Sequence, residues 1–232
     1  MEWKIIHIDE TDSTNRWLKD HGDGSLCVVA DYQTAGRGCG SNRWESERGK
    51  NLLFSILIRS IEIPVCRQFH ISMAISLAIV EALGRYIGDL SIKWPNDIYW
   101  RNAKIGGVLI ENSVQGSSIK DSIIGVGLNV NQREFHSDAP NPVSMWQICE
   151  QETDREQLLQ DILHAFDRLL RQDVREQYLS VLYRRNGFHP YADRNGAFMA
   201  ELVDVEDSGQ LVLLDDNGRK RSYAFKEVSF II

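Results

Sequence analysis

The chain has 232 residues, which is enough for one full-sized domain and a small second one. Hydrophobic residues make up 43% of it and charged residues 25%, as is ordinary for a soluble globular protein. The formal net charge of −7 argues against non-specific nucleic-acid binding, because such binding neutralises phosphates over a broad surface.

The cysteines and the N-terminus indicate the compartment. The cysteines lie far apart and form no Cys-x-x-Cys pair, so we expect neither a zinc site nor a disulfide framework. The first residues, Met-Glu-Trp-Lys, lack the layout of a signal peptide, and we expect no apolar run long enough to span a bilayer. These features predict a cytoplasmic protein that does not associate with membranes.

The first part of the chain predicts two strands with a helix between them. The strands cover Trp3–Ile8 and Leu26–Tyr32. Asp12-Ser-Thr-Asn15 consists of residues that favour helix N-termini, so we expect a helix that begins near Ser13. These short polar side chains either cap the helix or hydrogen-bond a polar ligand, and the sequence leaves both roles open.

A long loop, from about Gln33 to Lys50, follows the second predicted strand. Gly36, Gly38 and Gly40 alternate there around Arg37. Alternating glycines let backbone N–H groups form an anion-binding concavity, and arginine offers a planar fork that matches carboxylate or phosphate. A loop of this length in a compact domain is usually functional or disordered, and a flexible hairpin is the plain alternative.

The middle of the chain predicts a strand, a long core helix and a meander of hairpins. The strand covers Asn51–Ile58 and the helix about Arg67–Ile87, and the meander strands cover Ser91–Trp94, Ile98–Trp100, Lys104–Glu111 and Ile119–Asn129. Hairpins predict an antiparallel or mixed sheet rather than a doubly wound one. No helix follows the glycine loop, so the context of a dinucleotide-binding fingerprint is missing.

The last third predicts helices followed by short strands. A polar loop covers Gln132–Asn141, and apolar spacing from Asp154 to Arg185 predicts one long helix or two broken ones. Asn186–Pro190 is interpreted as a break, followed by strands at Phe198–Val203, Leu211–Leu214 and Tyr223–Phe225. We therefore expect an α+β domain over residues 1–187, with helices packed on a mixed or antiparallel sheet, and a small C-terminal β-barrel over residues 188–232.

Polar residues beside the predicted strands are candidate ligands. Lys104 precedes Gly106 and Gly107, which would let a ligand lie against the strand. A lysine in that position can pair with a carboxylate and a phosphate at once and so hold a nucleophile beside an electrophile. Lys93 is either exposed or part of the same site.

Other polar residues allow two interpretations. Asn96-Asp97 after a proline is typical of a turn. Asn129 and Asn131, at a strand end, either bind a ribose or phosphate or cap the loop. No Ser/His/Asp or Cys/His arrangement is apparent and the histidines show no ligand spacing, which disfavours covalent-nucleophile and zinc chemistry.

Taken together, these motifs resemble those of the biotin protein ligases. The matching stretches occur in the family's order: Asp12–Asn15, Gln33–Gly38, Trp44, Lys93–Asp97, Lys104–Glu111 and Gly125–Asn131. The resemblance implies a biotin/lipoate ligase-like catalytic domain with an SH3-like C-terminal barrel. It also implies ATP-dependent activation of biotin to biotinyl-5′-AMP, then transfer of biotin to a lysine of a biotin carboxyl carrier protein.

The resemblance further implies a role for each matching residue. The biotin-binding residues would be Ser13, Thr14, Asn15, Gln33, Gly36, Arg37, Gly38, Lys104, Gly106 and Gly107. The ATP-binding residues would be Arg37, Trp44, Lys93, Asn96, Lys104, Asn129 and Asn131. Lys104 would bridge carboxylate and α-phosphate, Arg37 would lie in a loop that closes over the adenylate, and Asp97 would face the acceptor lysine. Mg²⁺ would accompany the triphosphate, without a metal site made by the protein.

Two departures from the family pattern lead to further expectations. The chain opens on the catalytic motifs, so we expect no winged-helix domain and no operator binding. Cys39-Gly40-Ser41 stands where the family usually has basic or amide residues, so either a nearby cation, Arg43 or Lys50, compensates, or the adenylate is held less tightly. The rival functions are a lipoate or octanoate ligase or transferase of the same fold, and a non-catalytic binder of biotin or its carrier. The oligomeric state, monomer or homodimer, stays open.

Overall fold

The computed structural model describes residues 3–40, 42–136 and 140–232, so Ser41 of the glycine loop lies outside the described residues. The elements of the first part are β1 Lys4–Thr11, α1 Thr14–His21, β2 Leu26–Gln33, β3 Leu52–Pro64, a 3-10 turn Val65–Arg67, α2 Phe69–Leu83, β4 Leu90–Lys93, β5 Asp97–Trp100, β6 Ala103–Gln115 and β7 Ser118–Leu128. They are followed by α3 Met145–Cys149, α4 Arg155–Leu169, α5 Arg175–Ser180, β8 Phe188–Asp193, β9 Gly196–Val205, β10 Leu211–Asp215, β11 Lys220–Tyr223 and β12 Val228–Phe230.

The first seven strands form one mixed sheet, as the sequence predicts. Their order is β1-β2-β3-β7-β6-β5-β4. β1 and β2 pair in parallel because α1 carries the chain back between them, and the other neighbours pair antiparallel. The ends of β2, β5, β6 and β7 carry the predicted motifs, so the order of the strands gathers them on one part of the sheet.

The central helix α2 is shorter than predicted and is buried on most of its surface. It packs against α4, β4 and β5, and its side chains from Ile71 to Ile79 are all buried. By length and composition alone, the stretch Val65–Leu83, with 19 residues and a mean hydropathy of 1.2, could cross a bilayer. This corrects the expectation that no apolar run in the chain is long enough to do so. In the folded protein, 56% of its most apolar 18-residue segment is buried, as is typical of a core helix.

The helical region after residue 144 differs in detail from the prediction. The stretch from Asp154 to Arg185 contains two helices, α4 and α5, which is the second of the two predicted alternatives. α3 was not predicted, although its start carries a capping box in which the Ser144 hydroxyl accepts from the backbone of Gln147 and the Gln147 side chain accepts from the backbone of Ser144. The spacing Ser-x-x-Gln is the signal that could have revealed it.

The last five strands form a second, antiparallel sheet in the order β11-β10-β9-β8-β12. The prediction missed β8, because Pro190 was taken as a break, and it also missed β12. In the sheet, Pro190 pairs opposite Met199 and its carbonyl accepts from the backbone N–H of Ile231 at 3.1 Å, so the missing proline N–H is tolerated. The division of the chain at residues 187 and 188 stays a prediction.

The second sheet contacts the first near the β4–β5 turn. The indole N–H of Trp94 donates to the carbonyl of Gly209 at 2.9 Å, and its ring meets Phe225 edge-on at 6.4 Å. Nearby, Arg175 of α5 makes two hydrogen bonds of 2.8 Å to the carboxylate of Asp204. These contacts place the β11–β12 turn beside the predicted motifs.

Candidate functional site

A cavity of about 920 Å³ lies between the first sheet, the glycine loop and the β11–β12 turn. Of the residues predicted for the site, all line this cavity except Gly36, Gly106 and Asn131. The fold therefore brings together side chains that are separated by more than a hundred residues in the sequence.

One end of the cavity is lined by a buried, uncharged hydrogen-bond network. The side-chain oxygen of Gln33 accepts from the backbone N–H and hydroxyl of Thr14 at 2.8 and 3.1 Å. The hydroxyl of Ser55, on strand β3, lies within donating distance of the Thr14 hydroxyl, at 2.7 Å, and of the Asn15 side-chain oxygen, at 2.6 Å. Ser13 stands at the N-cap position of α1, but its side chain makes no capping hydrogen bond, so of the two roles left open for it the structure does not support capping. Ser13 lines the cavity.

Glu111 connects this network to the charged part of the site. Its carboxylate accepts from Asn15 at 2.9 Å and from Lys19 at 2.7 Å, and Arg37 lies 3.4 Å away. Burial favours a raised pKa for Glu111, but the hydrogen bonds from Lys19 and Asn15 and the charge of Arg37 outweigh it and hold the pKa below its ordinary value. Glu111 therefore carries a charge that holds Arg37 beside the cavity.

Two glycines of β7 make room for site side chains. A Cβ on Gly125 would collide with the side-chain amide of Asn15, and a Cβ on Gly127 would stand 2.5 Å from the indole of Trp44. Neither glycine has a positive φ, so the requirement is space and not backbone conformation. The Gly125-x-Gly127 spacing thus opens one face of the sheet, because alternate residues of a strand point the same way.

The charged part of the cavity centres on Lys104. Its ammonium lies 2.5 Å from the carboxylate of Asp97 and 5.8 Å from the centre of the Trp44 ring. The backbone of Lys104 is fixed on a second side, since its N–H donates to Asn141 at 2.8 Å and its carbonyl accepts from Val143 at 2.9 Å. Lys104 is thus a cation on a rigid strand end, with a carboxylate partner but room for an anion.

Lys93 contributes a second ammonium at the same end of the sheet. It donates to the hydroxyl of Tyr99 at 3.0 Å and lies 4.9 Å from the centre of that ring and 5.5 Å from the centre of Phe230. Burial lowers the pKa of Lys93 below its ordinary value, Asp97 opposes that shift, and the charge of Lys104 adds to it. Lys93 is a half-buried cation held by aromatic rings.

Trp44 lines the cavity, and its indole carries a donor without a partner. Its Nε1–H is buried and has no hydrogen-bond partner among the described residues. Buried donors without a partner are rare in folded proteins. Because Trp44 lines the cavity, its N–H can be satisfied by a bound ligand.

Some predicted ligands are used by the fold instead. Gly106 faces away from the cavity, and a Cβ there would collide with Leu128, so it serves the packing of β6 on β7. Gly36 lies beneath the carbonyl of Trp44, 2.8 Å from the place of a Cβ. Asn131 exchanges two hydrogen bonds with the backbone of Thr153, at 3.0 and 2.9 Å, and therefore caps the loop. These three positions support the site without lining it.

The remaining asparagines and cations have mixed roles. Asn96 and Asn129 line the cavity, but their amide groups donate to the carbonyls of Val108 and Val143, at 2.7 and 3.1 Å. Lys50 lies outside the cavity lining, 3.7 Å from Glu152, which removes it as the cation that compensates for Cys39. Arg43 does line the cavity.

Sequence reasoning missed four contributors to the site. Ser55 is one serine in an apolar strand, and the only signal for it was a polar residue where a buried strand should be apolar. Glu111 was quoted within a motif without a role. Phe225 and Lys226 of the second sheet line the cavity as well, and nothing local in the sequence predicts that contact.

Comparison with known proteins identifies this arrangement. Residues 7–129, which include almost every predicted motif, match the biotin/lipoate A/B protein ligase family. The chain belongs to that family. It is 31% identical to the bifunctional ligase/repressor BirA of Bacillus subtilis, over 95% of this chain and 72% of that protein. It is 29% identical to the biotin–acetyl-CoA-carboxylase ligase of Paracoccus denitrificans, over 92% of this chain and 95% of that one.

Solved structures of this ligase family share the fold. The biotin protein ligase from Aquifex aeolicus in complex with biotin and ATP superposes with a TM-score of 0.82 at 26% identity, over 97% of both chains. The likeness covers both sheets, which confirms the α+β ligase fold with a second, antiparallel β unit at its C-terminal end.

Proposed function

We propose that this chain is a biotin–protein ligase, which joins biotin to a lysine of a biotin carboxyl carrier protein at the expense of ATP. One observation carries the proposal: an uncharged buried hydrogen-bond network and the Lys104–Asp97 pair line the same cavity. In the first step an oxygen of the biotin carboxylate attacks the α-phosphorus of ATP, and the bond from that phosphorus to pyrophosphate breaks. In the second step the lysine amine attacks the carbonyl carbon, AMP leaves, and the amine loses a proton.

The network of Thr14, Asn15, Gln33 and Ser55 suits the head group of biotin. That head group is an uncharged cyclic urea with one acceptor oxygen and two N–H donors, and it needs matched donors and acceptors rather than a charge. Hydroxyls can donate or accept, and an amide side chain does both. Because this end of the cavity is buried, an unmatched polar group would be costly there, which favours a ligand that satisfies every bond.

Lys104 suits the reacting atoms. Its ammonium would hold the biotin carboxylate and the α-phosphate of ATP together, and would offset charge that develops at phosphorus. Asp97 holds this ammonium in place. Once two anions compete for Lys104, Asp97 is free to orient the amine of the incoming lysine and to accept its proton.

Arg37 and Trp44 suit the nucleotide side of the adenylate. Arg37 lies on the glycine loop and would exchange its contact with Glu111 for the adenylate phosphate, to which an arginine fork binds more tightly. The unpartnered indole N–H of Trp44 would donate to the same ligand. Lys93, Asn96 and Asn129, which line the same cavity, stay proposed ATP contacts.

Magnesium would enter with the triphosphate as part of the Mg-ATP substrate. Within residues 3–40, 42–136 and 140–232, no three histidine, cysteine or acidic side chains cluster as a metal site would require. The lysines and arginines lining the cavity fit the anionic oxygens of ATP rather than a bare cation. The predictions of a cytoplasmic location and of no binding to DNA or membranes remain predictions, and the choice between monomer and homodimer stays open.

The decisive experiment incubates the protein with biotin, Mg-ATP and an isolated carrier domain. We expect one lysine of the carrier to gain the mass of biotin, measured on the intact carrier and located by peptide mapping. Lipoate in place of biotin distinguishes the rival ligase, because the head-group network fits a urea and not a disulfide ring. Pyrophosphate exchange supported by lipoate but not biotin would refute the proposal, and tight biotin binding without turnover would indicate the non-catalytic binder.

We expect the loop between Gln33 and Lys50 to become protected when the adenylate forms. Arg37 is held there by a single long contact to Glu111, at 3.4 Å, and biotinyl-AMP would offer it a stronger partner. Limited proteolysis should cut this loop in the free protein, and biotin with ATP should slow the cut by about tenfold or more. Equal cutting with and without both ligands would contradict loop closure.

A further inference from the structure

The β11–β12 turn forms part of the cavity wall and presents a lysine. The backbone N–H of Glu227 donates to the carbonyl of Ala224 at 3.1 Å, and the carboxylate of Glu227 accepts from the N–H of Ala224 at 2.7 Å. Lys226 stands inside this closed turn with a φ of 71°. That conformation favours glycine, so a lysine is held there by the turn against its own preference.

Contacts with the first sheet fix where this turn lies. Phe225, the residue before the lysine, meets the ring of Trp94 edge-on at 6.4 Å. Trp94 in turn donates to Gly209 of the second sheet at 2.9 Å. Because Trp94 lies between Lys93 and Asp97 in the chain, the position of Lys226 is tied to the residues of the reacting centre.

The side chain of Lys226 reaches the glycine loop. Its Cε lies 3.3 Å from the place of a Cβ on Gly40, and its ammonium occupies that place. Gly40 therefore leaves the space that the lysine fills. Cys39 and Gly40 carry no charge themselves, so Lys226 adds a charge from the second sheet to those of Arg37 and Arg43 on the loop.

Lys226 has no carboxylate partner within the described part of the chain. Its side chain is exposed at the cavity wall, and the one contact recorded for its ammonium besides Gly40 is with the ring of Phe225, at 5.7 Å. Lys104, by contrast, is paired with Asp97 and lies against Trp44. An unpaired ammonium at the mouth of a cavity is suited to an anion that enters from solvent.

We propose that Lys226 binds the β- and γ-phosphates of ATP, an inference that rests on the proposed function. The α-phosphate must lie beside Lys104, where the biotin carboxylate reacts, so the rest of the triphosphate points towards the exposed mouth. When the bond between the α-phosphorus and the bridging oxygen breaks, negative charge grows on the leaving pyrophosphate, and the ammonium of Lys226 stabilises it. The adenylate retains neither of these phosphates, so Lys226 takes no part in the transfer to the carrier lysine.

The test compares three variants in two assays. Lys226→Asn removes the charge with a residue that tolerates a positive φ, and Lys226→Arg keeps the charge. Lys220→Asn is the matched control, because Lys220 is an exposed lysine of the same sheet outside the cavity lining. One assay measures the KM for ATP and for pyrophosphate in biotin-dependent exchange. The other measures transfer from supplied biotinyl-AMP to a carrier domain.

We expect Lys226→Asn to raise both KM values about tenfold, as for loss of one charge-assisted contact, and to leave the transfer rate unchanged. Lys226→Arg and Lys220→Asn should stay close to the wild type. Unchanged KM values for Lys226→Asn would overturn the proposal, as would an equal slowing of transfer from supplied adenylate. If the asparagine variant unfolds, Lys226→Gly, which suits the same φ, replaces it in both assays.

A binding measurement separates this inference from the proposed function. Calorimetry with inorganic tripolyphosphate needs neither biotin nor a carrier, and Lys226→Asn should weaken its binding about tenfold. If the wild type shows no biotin-dependent exchange but tripolyphosphate binding still depends on Lys226, the proposed function fails and the phosphate site stands. If exchange proceeds and tripolyphosphate binds both forms equally, the phosphate site fails and the proposed function stands.

Discussion

Lys104→Ala should lower biotin-dependent ATP–pyrophosphate exchange by about 10²–10³-fold, because it removes the cation at the reacting atoms. Lys104 lies 2.5 Å from Asp97, at a strand end fixed by β5 on one side and by residues 141–143 on the other. Lys93, the second ammonium at this end of the sheet, is bound to Tyr99 and so does not replace it. The loss should appear in kcat as well as in KM, because the charge acts on the transition state.

The same substitution should leave the fold intact. The Lys104–Asp97 pair is partly exposed, with side-chain exposures of 30% and 24%, so its loss should cost about 0–1 kcal/mol in the free energy of unfolding. Chemical denaturation checks this, and Lys120→Ala, on an exposed part of β7, serves as the matched control for both assays. Exchange within threefold of the wild type would remove Lys104 from the proposed mechanism.

Local patterns predicted the elements of this protein well where strands are apolar and hairpins short. They predicted the mixed sheet, the helix after Ser13 and the antiparallel meander. They failed where a local signal has two meanings. Pro190 was taken as a break, yet it lies in β8, where the sheet tolerates a residue without a backbone N–H. Arg67–Ile87 was taken as one helix, although the helix covers only Phe69–Leu83 and Arg67 ends the 3-10 turn that precedes it.

Some residues of the site also could not be assigned from local sequence patterns. A glycine that approaches a ligand and a glycine that approaches a neighbouring strand look alike in the sequence. Gly107 lines the cavity, whereas Gly106 packs under Leu128, and only the pairing of β6 with β7 separates the two. The position of Lys226 at the site could not be predicted from the sequence for a related reason. Its contact with Gly40 joins the β11–β12 turn to the glycine loop, and no local pattern encodes such a contact.

The second large effect expected is from Gly125→Ala, which should weaken biotin binding by about 10–100-fold. A Cβ at this position would collide with the side-chain oxygen of Asn15 and lie 3.0 Å from its Cγ. Asn15 would have to leave its hydrogen bonds with Ser55 and Glu111, at 2.6 and 2.9 Å, in a buried part of the cavity. Titration calorimetry of biotin measures the change, and ATP affinity should change less because the network lies at the biotin end.

Gly88→Ala is the matched control for this prediction, because nothing lies within 4 Å of a Cβ there and its φ is not positive. Where a Cβ has open space, replacing glycine by alanine stabilises the folded protein by about 0.4–1 kcal/mol, because alanine lowers the conformational entropy of the unfolded chain. A double-mutant cycle then tests whether Gly125 affects biotin binding through Asn15. If Gly125 acts by making room for Asn15, Gly125→Ala should add little to Asn15→Ala, since the side chain it displaces is already gone. Full additivity of the two losses, or wild-type biotin affinity in Gly125→Ala, would show that the head-group network does not depend on this space.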